Sequence, residues 1–285
     1  MSYKKLLLAA WYLVFQGCTS LLFFPDGHLY LTPSHVGLSY QSEYLLNSNG
    51  NLIHVWKIWK PNQKSASKAL VQFHGNAQNM TSHFLGAAWF CDIGYTVFAF
   101  DYQGYGLSEG FPTIENSVQD GVMVLEYVRK QFEDVVVLGQ SLGGALSIGA
   151  LAQRPKLPVK ALIIDSSFFD YREVVEDVTS RSWVLRPFGF AFGFLFENHH
   201  SPKQVLSTLR IPILVTHDLR DPVISFDQGK KLFRQIPNHV NKEFVTTDFA
   251  EHIGGIQGSQ TLRSKIINFL KSAMRPQTTE LQPNP

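Results

Sequence analysis

From Ala69 onward the chain alternates short apolar runs with longer stretches in which apolar positions recur every three or four residues. The short runs are Ala69 to Phe73, Thr96 to Phe100, Val135 to Leu138, Ala161 to Ile164, Ile211 to Thr216 and Phe244 to Thr246. Their length and near-continuous apolarity predict strands buried on both faces. Helical spacing between them predicts helices at Met80 to Cys91, Ile114 to Gln131, Leu142 to Gln153, Gln228 to Gln235 and Thr261 to Met274. Such alternation implies a parallel sheet covered on both sides. Ahead of it, Tyr40 to Leu46 and Leu52 to Trp59 read as strands, and Asn47-Ser48-Asn49-Gly50-Asn51 between them is a hairpin signal. The expected fold class is therefore α/β: a mostly parallel twisted sheet with an N-terminal antiparallel hairpin and helices on both faces.

A length of 285 residues, 45% hydrophobic and 17% charged, fits one large globular domain. The formal charge of +2 rests on Lys4 and Lys5. Without them the chain is balanced, which argues against a nucleic-acid partner.

The N-terminus departs from this composition. Met1 to Lys5 is a short basic segment, and Leu6 to Gly17 is uncharged and mostly apolar, ahead of Cys18. That order predicts an export signal. The junction Phe15-Gln16-Gly17-Cys18 resembles the lipobox of bacterial lipoproteins in its Gly-Cys step and departs from it at Phe15 and Gln16, which makes Cys18 the candidate lipid anchor. Alternatively, Leu6 to Phe24 is a single uncharged stretch long enough to cross a bilayer once. Both readings place the domain outside the cytoplasm, as a bacterial envelope lipoprotein or on a single N-terminal anchor. The expected division is 1–17 signal peptide or part of an anchor, 18–39 lead-in, 40–274 the α/β domain and 275–285 disordered tail. Within the domain, 167–210 is a small, cap-like aromatic insertion that includes Phe188 to Phe196. With only Cys91 besides Cys18, no disulfide framework exists within one chain.

The sharpest chemical signal is Gly139-Gln140-Ser141-Leu142-Gly143, placed after an apolar strand and opening a small-residue helix. This is the setting of a nucleophile elbow. A tight strand-to-helix turn needs flanking glycines because neighbouring chains approach closely, and it lifts the Ser141 hydroxyl above the sheet. The second signal is Phe73-His74-Gly75-Asn76-Ala77, where the first strand of the alternating region ends. A loop there supplies one oxyanion-hole amide and the residue after the nucleophile supplies the other, which designates the backbone N–H groups of Asn76 and Leu142. His74 is expected to pack that loop.

These segments, together with Phe100-Asp-Tyr-Gln-Gly-Tyr-Gly-Leu-Ser-Glu-Gly110 and Ile164-Asp-Ser-Ser-Phe168, resemble the serine-aminopeptidase-like branch of the alpha/beta-hydrolases, from about Tyr40 to Phe269. The resemblance implies an alpha/beta-hydrolase fold with a minimal cap and a Ser-Asp-His order of catalytic residues. Its acid position falls on Asp221, before Pro-Val-Ile. Asp218, standing in a His-Asp step where His-Gly is usual, and Asp165 remain alternative acids. Its base falls on His252, where Ala250-Glu251 replaces the customary glycines. The Asp101 to Gly110 loop has glycines at 104, 106 and 110, the wrong spacing for a dinucleotide cradle.

No cofactor is expected, and His199-His200 lacks the company a metal site needs. Candidate pocket residues are His74, Tyr102, Phe168 and Phe169. The implied activity is hydrolysis of a small acyl-ester or lipid-like substrate by a carboxylesterase-like or lipase-like serine hydrolase. Thioesterase and aminopeptidase chemistry use the same machinery, and a silent envelope scaffold is the non-enzymatic alternative. Oligomeric state is not encoded in any of these signals.

Overall fold

The computed structural model describes residues 23–63, 66–180 and 199–275. The signal or anchor segment with Cys18, the run Phe188 to Phe196 and the tail after Arg275 lie outside the described residues.

Eight strands form one sheet: β1 (Ser39–Leu46), β2 (Leu52–Trp59), β3 (Lys68–Phe73), β4 (Tyr95–Phe100), β5 (Asp134–Gln140), β6 (Ala161–Asp165), β7 (Ile213–Asp218) and β8 (Lys242–Thr247). Their spatial order is β1-β2-β4-β3-β5-β6-β7-β8. The β1–β2 and β2–β4 pairs are antiparallel and every other pair is parallel. The hairpin turn closes with Asn47 and Asn51 paired through N–H and carbonyl at 3.0 Å.

The long helices are α1 (Ile114–Arg129), α2 (Leu142–Gln153), α3 (Tyr171–Ser180), α4 (Phe226–Gln235) and α5 (Gln260–Ala273). Thr113 caps α1 by accepting the Asn116 N–H, and Ser259 caps α5 by accepting that of Leu262. One core holds Val118, Leu125, Leu146, Ile148 and Leu232 from α1, α2 and α4 against one face of the sheet. The other holds Phe84, Phe90, Leu262, Ile266 and Phe269 from the 80–93 segment and α5 against the opposite face. Because α2 is buried along most of its length, it carries no polar stripe and is built from Ala, Gly, Leu, Ile and a satisfied Ser147.

One local expectation needs correction. Met80 to Cys91 is not one helix but two four-residue turns, Met80–His83 and Leu85–Ala88, followed by a 3₁₀ stretch, Trp89–Ile93. The cause is a side chain from the sheet: Gln72 Nε2 donates to the His83 carbonyl at 2.8 Å, taking an acceptor that a continuous helix would need. Within 167–210 the described residues include the helix α3.

Strand order decides where a site can form. β3 sits between β4 and β5, so the chain leaves it in one direction and later passes to its other side. Loops leaving β3 and β5 therefore diverge and open a crevice at their C-terminal ends.

Candidate active site

Ser141 stands in that crevice. It has φ 53° and ψ −121°, a backbone conformation that disfavours a side chain, and it directly precedes α2. The turn is held by the Ser141 N–H donating to the Asp165 carbonyl at 2.9 Å and by the Ser167 hydroxyl donating to the Ser141 carbonyl at 2.7 Å. The glycines follow from crowding. A Cβ on Gly143 would overlap the carbonyl oxygens of Phe73 and His74, and one on Gly139 would meet Ser147 Oγ at 2.5 Å.

The loop leaving β3 lies against this turn. A Cβ on Gly75 would stand 3.6 Å from Ser141 Cβ. Asn76, next along, is fixed by Tyr105, whose hydroxyl donates to the Asn76 carbonyl at 2.6 Å. The amides designated by sequence, Asn76 and Leu142, thus belong to the two segments that border Ser141. Leu142 is the first residue of α2, where no intrahelical acceptor exists for its N–H and the helix dipole favours negative charge.

His252 and Asp221 come from the loops after β8 and β7. His252 Nδ1 lies 2.8 Å from Asp221 Oδ2, with the Asp221 side chain fully buried. Asp221 Oδ1 accepts the amides of Val223 at 2.8 Å and Ile224 at 2.9 Å. Burial alone would raise this carboxyl, but His252 and the two amides hold it below the usual carboxylate range. Ser141 Oγ and His252 are not joined by a hydrogen bond among the described residues. Such links are commonly loose before substrate binds.

The alternative acids are committed elsewhere. Asp165 is buried, accepting Thr216 Oγ1 at 2.7 Å and Gln140 Nε2 at 3.0 Å. Burial raises its pKa. Asp218 accepts four donors: the Phe249 amide at 2.6 Å, Thr247 Oγ1 and the Arg220 amide at 2.9 Å, and the Ala250 amide at 3.1 Å. Burial works against its ionisation, yet these donors together lower its pKa. Asp218 therefore ties the His252 loop to β7 without touching His252.

That loop explains the missing glycine. Ala250 has φ 57° and Ile253 φ 55°, so left-handed backbone brackets the histidine on both sides. A residue with a Cβ costs about 1–2 kcal/mol there, against about 0.5–1 kcal/mol of extra chain entropy lost by glycine. Ala250→Gly is therefore expected to leave stability unchanged or raise it by up to about 1.5 kcal/mol, with turnover preserved. Thermal unfolding checks this, and a clear fall in Tm contradicts it.

The four pocket expectations fall on buried side chains. His74 is packed on Tyr102 at 4.4 Å and on Tyr105 at 5.2 Å, and burial depresses it to about 3. Tyr102 donates to the His74 carbonyl at 3.0 Å. Phe168 and Phe169 belong to the hydrophobic core. Through its bond to the His74 carbonyl, Tyr102 braces the β3 loop.

A residue not singled out from the sequence, His83, does border the site: its Cε1 would lie 3.2 Å from a Cβ on Gly75. His83 Nε2 is 2.8 Å from the Ala77 carbonyl. The only sequence signal was its position in the segment after His74-Gly75.

Comparison with known proteins agrees with this architecture. The family model described as serine aminopeptidase, S33, matches residues 64–205. The uncharacterized protein YfhR of Salmonella typhi is 27% identical over 92% of this chain and 91% of its own. The lysophosphatidylserine lipase ABHD12 of Mus musculus is 27% identical over 70% of this chain and 58% of its own. Among solved structures, the Pyrococcus furiosus esterase Pf2001 superposes with a TM-score of 0.71 at 19% identity, covering 89% of this chain and 98% of that one.

Proposed function

We propose that this chain, a member of the alpha/beta-hydrolase superfamily, is a serine hydrolase that cleaves carboxylic esters through an acyl-enzyme. Ser141 is the nucleophile, His252 the general base and Asp221 the acid that orients it. The observation that carries this reading is the Asp221–His252 hydrogen bond, formed at the same strand ends where Ser141 stands on its strained turn.

Asp221, kept ionised, accepts a hydrogen bond from the Nδ1–H of His252 and so leaves Nε2 free to take the Ser141 hydroxyl proton. The oxygen adds to the ester carbonyl, and the resulting oxyanion is held by the Asn76 and Leu142 amides. Each such donor is worth about 3–4 kcal/mol in the transition state. Collapse expels the alcohol, protonated by His252. Water, deprotonated by the same imidazole, then releases the acid and restores Ser141.

The ester reading is supported by the likeness of the fold to the esterase Pf2001 of Pyrococcus furiosus. We further propose that the protein is exported and held at a membrane through its N-terminus, by Cys18 or by the Leu6 to Phe24 stretch. Among the described residues, no helix is long and apolar enough to cross a membrane.

The test is turnover of p-nitrophenyl esters from acetyl to palmitoyl beside an amino-acid p-nitroanilide and an acyl thioester. Short or medium acyl esters are expected to be preferred. Faster cleavage of the anilide would replace the ester reading with a peptidase one.

A further inference from the structure

We propose that the mouth of the active site faces a lipid bilayer and that the esters hydrolysed are lipids drawn from it, an inference resting on the ester-hydrolase reading above.

The stretch from Leu6 to Phe24 contains no charged residue. The part of it ahead of the domain, Leu6 to Leu22, is seventeen residues, at the lower limit of the roughly 17–25 apolar residues that cross a hydrocarbon core once. Its C-terminal end does not run into a free linker. Phe23 is buried edge-on against Tyr105, with ring centroids 6.2 Å apart. The Phe24 amide donates to Asn76 Oδ1 at 3.0 Å, and Phe24–Pro25 pairs in parallel with Ala77–Gln78. Asp26 then accepts the Gly106 amide through its carbonyl at 3.0 Å. The apolar stretch therefore joins the domain at the loop that carries a proposed oxyanion amide. A domain tethered there by a long flexible linker could present any face to the membrane, whereas this one has its site drawn toward the point of entry.

The exposed surface agrees. Large apolar side chains stand exposed in loops at the C-terminal edge of the sheet on both sides of Ser141: Phe24, Leu107 and Phe111 on one, Leu219, Val223 and Phe249 on the other. Phe111 is 80% exposed. Of the exposed charges beside the latter group, Arg220 and Asp248 pair with each other, and Glu251 is the third. The opposite edge is different in kind: β3, β5 and β8 start with Lys68, Asp134 and Lys242, and Lys160 pairs with Asp134 beside them. One end of the sheet is suited to an apolar medium and the other to water.

The experiment uses the full chain in phosphatidylcholine and phosphatidylglycerol vesicles, with the photocrosslinker p-benzoylphenylalanine placed at Phe111 or, as a distal control, at the exposed Lys156. Phospholipid adducts, read by mass spectrometry, are expected at position 111 and not at position 156. Adducts at both alike, or at neither, overturn the proposed facing. A triple variant, Leu107→Ser, Phe111→Ser and Leu219→Ser, is expected to keep its turnover of a soluble ester while losing about tenfold or more on lipid esters embedded in the vesicles. An unchanged ratio of the two rates overturns the lipid source. If the parent protein hydrolyses no ester, the functional reading above fails, and the crosslinking result still decides which way the site faces.

Discussion

Ser141→Ala is expected to abolish covalent labelling by a fluorophosphonate probe and to lower kcat on a soluble p-nitrophenyl ester by about five to six orders of magnitude. The structure gives reasons to expect a loss of chemistry rather than of fold. Ser141 Oγ is not among the groups that hold the turn, since the bonds to Asp165 and Ser167 use the backbone N–H and carbonyl of residue 141. Alanine suffers the same backbone strain at φ 53° as serine does, so Tm should change little. Residual rate would come from the Asn76 and Leu142 amides acting on substrate attacked directly by water. A folded variant retaining even a hundredth of parental turnover would mean that the attacking atom lies elsewhere. A parent chain that folds but never labels would favour the scaffold alternative.

The sheet was legible in the sequence because each buried strand is a short apolar run whose flanks carry polar or turn residues. Val135 to Leu138 and Ala161 to Ile164 fall inside β5 and β6 with edges shifted by one or two residues. The elbow was legible for a different reason: glycines at 139 and 143 answer to steric overlap with atoms of α2 and the β3 loop, and that constraint leaves a mark in sequence. The features that escaped reading are long-range. The break in the 80–93 segment depends on the Gln72 amide reaching the His83 carbonyl from the sheet. The pairing of Phe24–Pro25 with Ala77–Gln78 depends on a lead-in with no strand pattern of its own. Left-handed backbone at Ala250 was hidden because alanine occupies a conformation usually given to glycine, with the Asp218 clamp on its amide holding it there.

The acid is where sequence left three carboxylates open, and turnover and stability should rank them differently. Asp221→Asn is expected to lower kcat by about 10⁴ at nearly unchanged Tm. Asparagine can still accept the Val223 and Ile224 amides through its oxygen. Its NH₂ then faces His252 Nδ1, so the imidazole must accept there and carry its proton on Nε2, the nitrogen that has to receive the proton of Ser141. Asp218→Asn acts through the loop. Four donors converge on Asp218, and an amide group turns one side of that reception into a clash between donors, costing about 1–3 kcal/mol. Its Tm should fall the most of the three, with turnover reduced only as far as the His252 loop loosens. Asp165→Asn should be the mildest, because the Thr216 hydroxyl can reverse to accept from the new NH₂ while Gln140 keeps an oxygen acceptor. Steady-state kinetics and thermal unfolding on the three variants separate these roles. If Asp218→Asn or Asp165→Asn matched the turnover loss of Asp221→Asn without a change in Tm, the orienting carboxylate would be that residue, and the 2.8 Å bond between Asp221 and His252 would belong to a resting state alone.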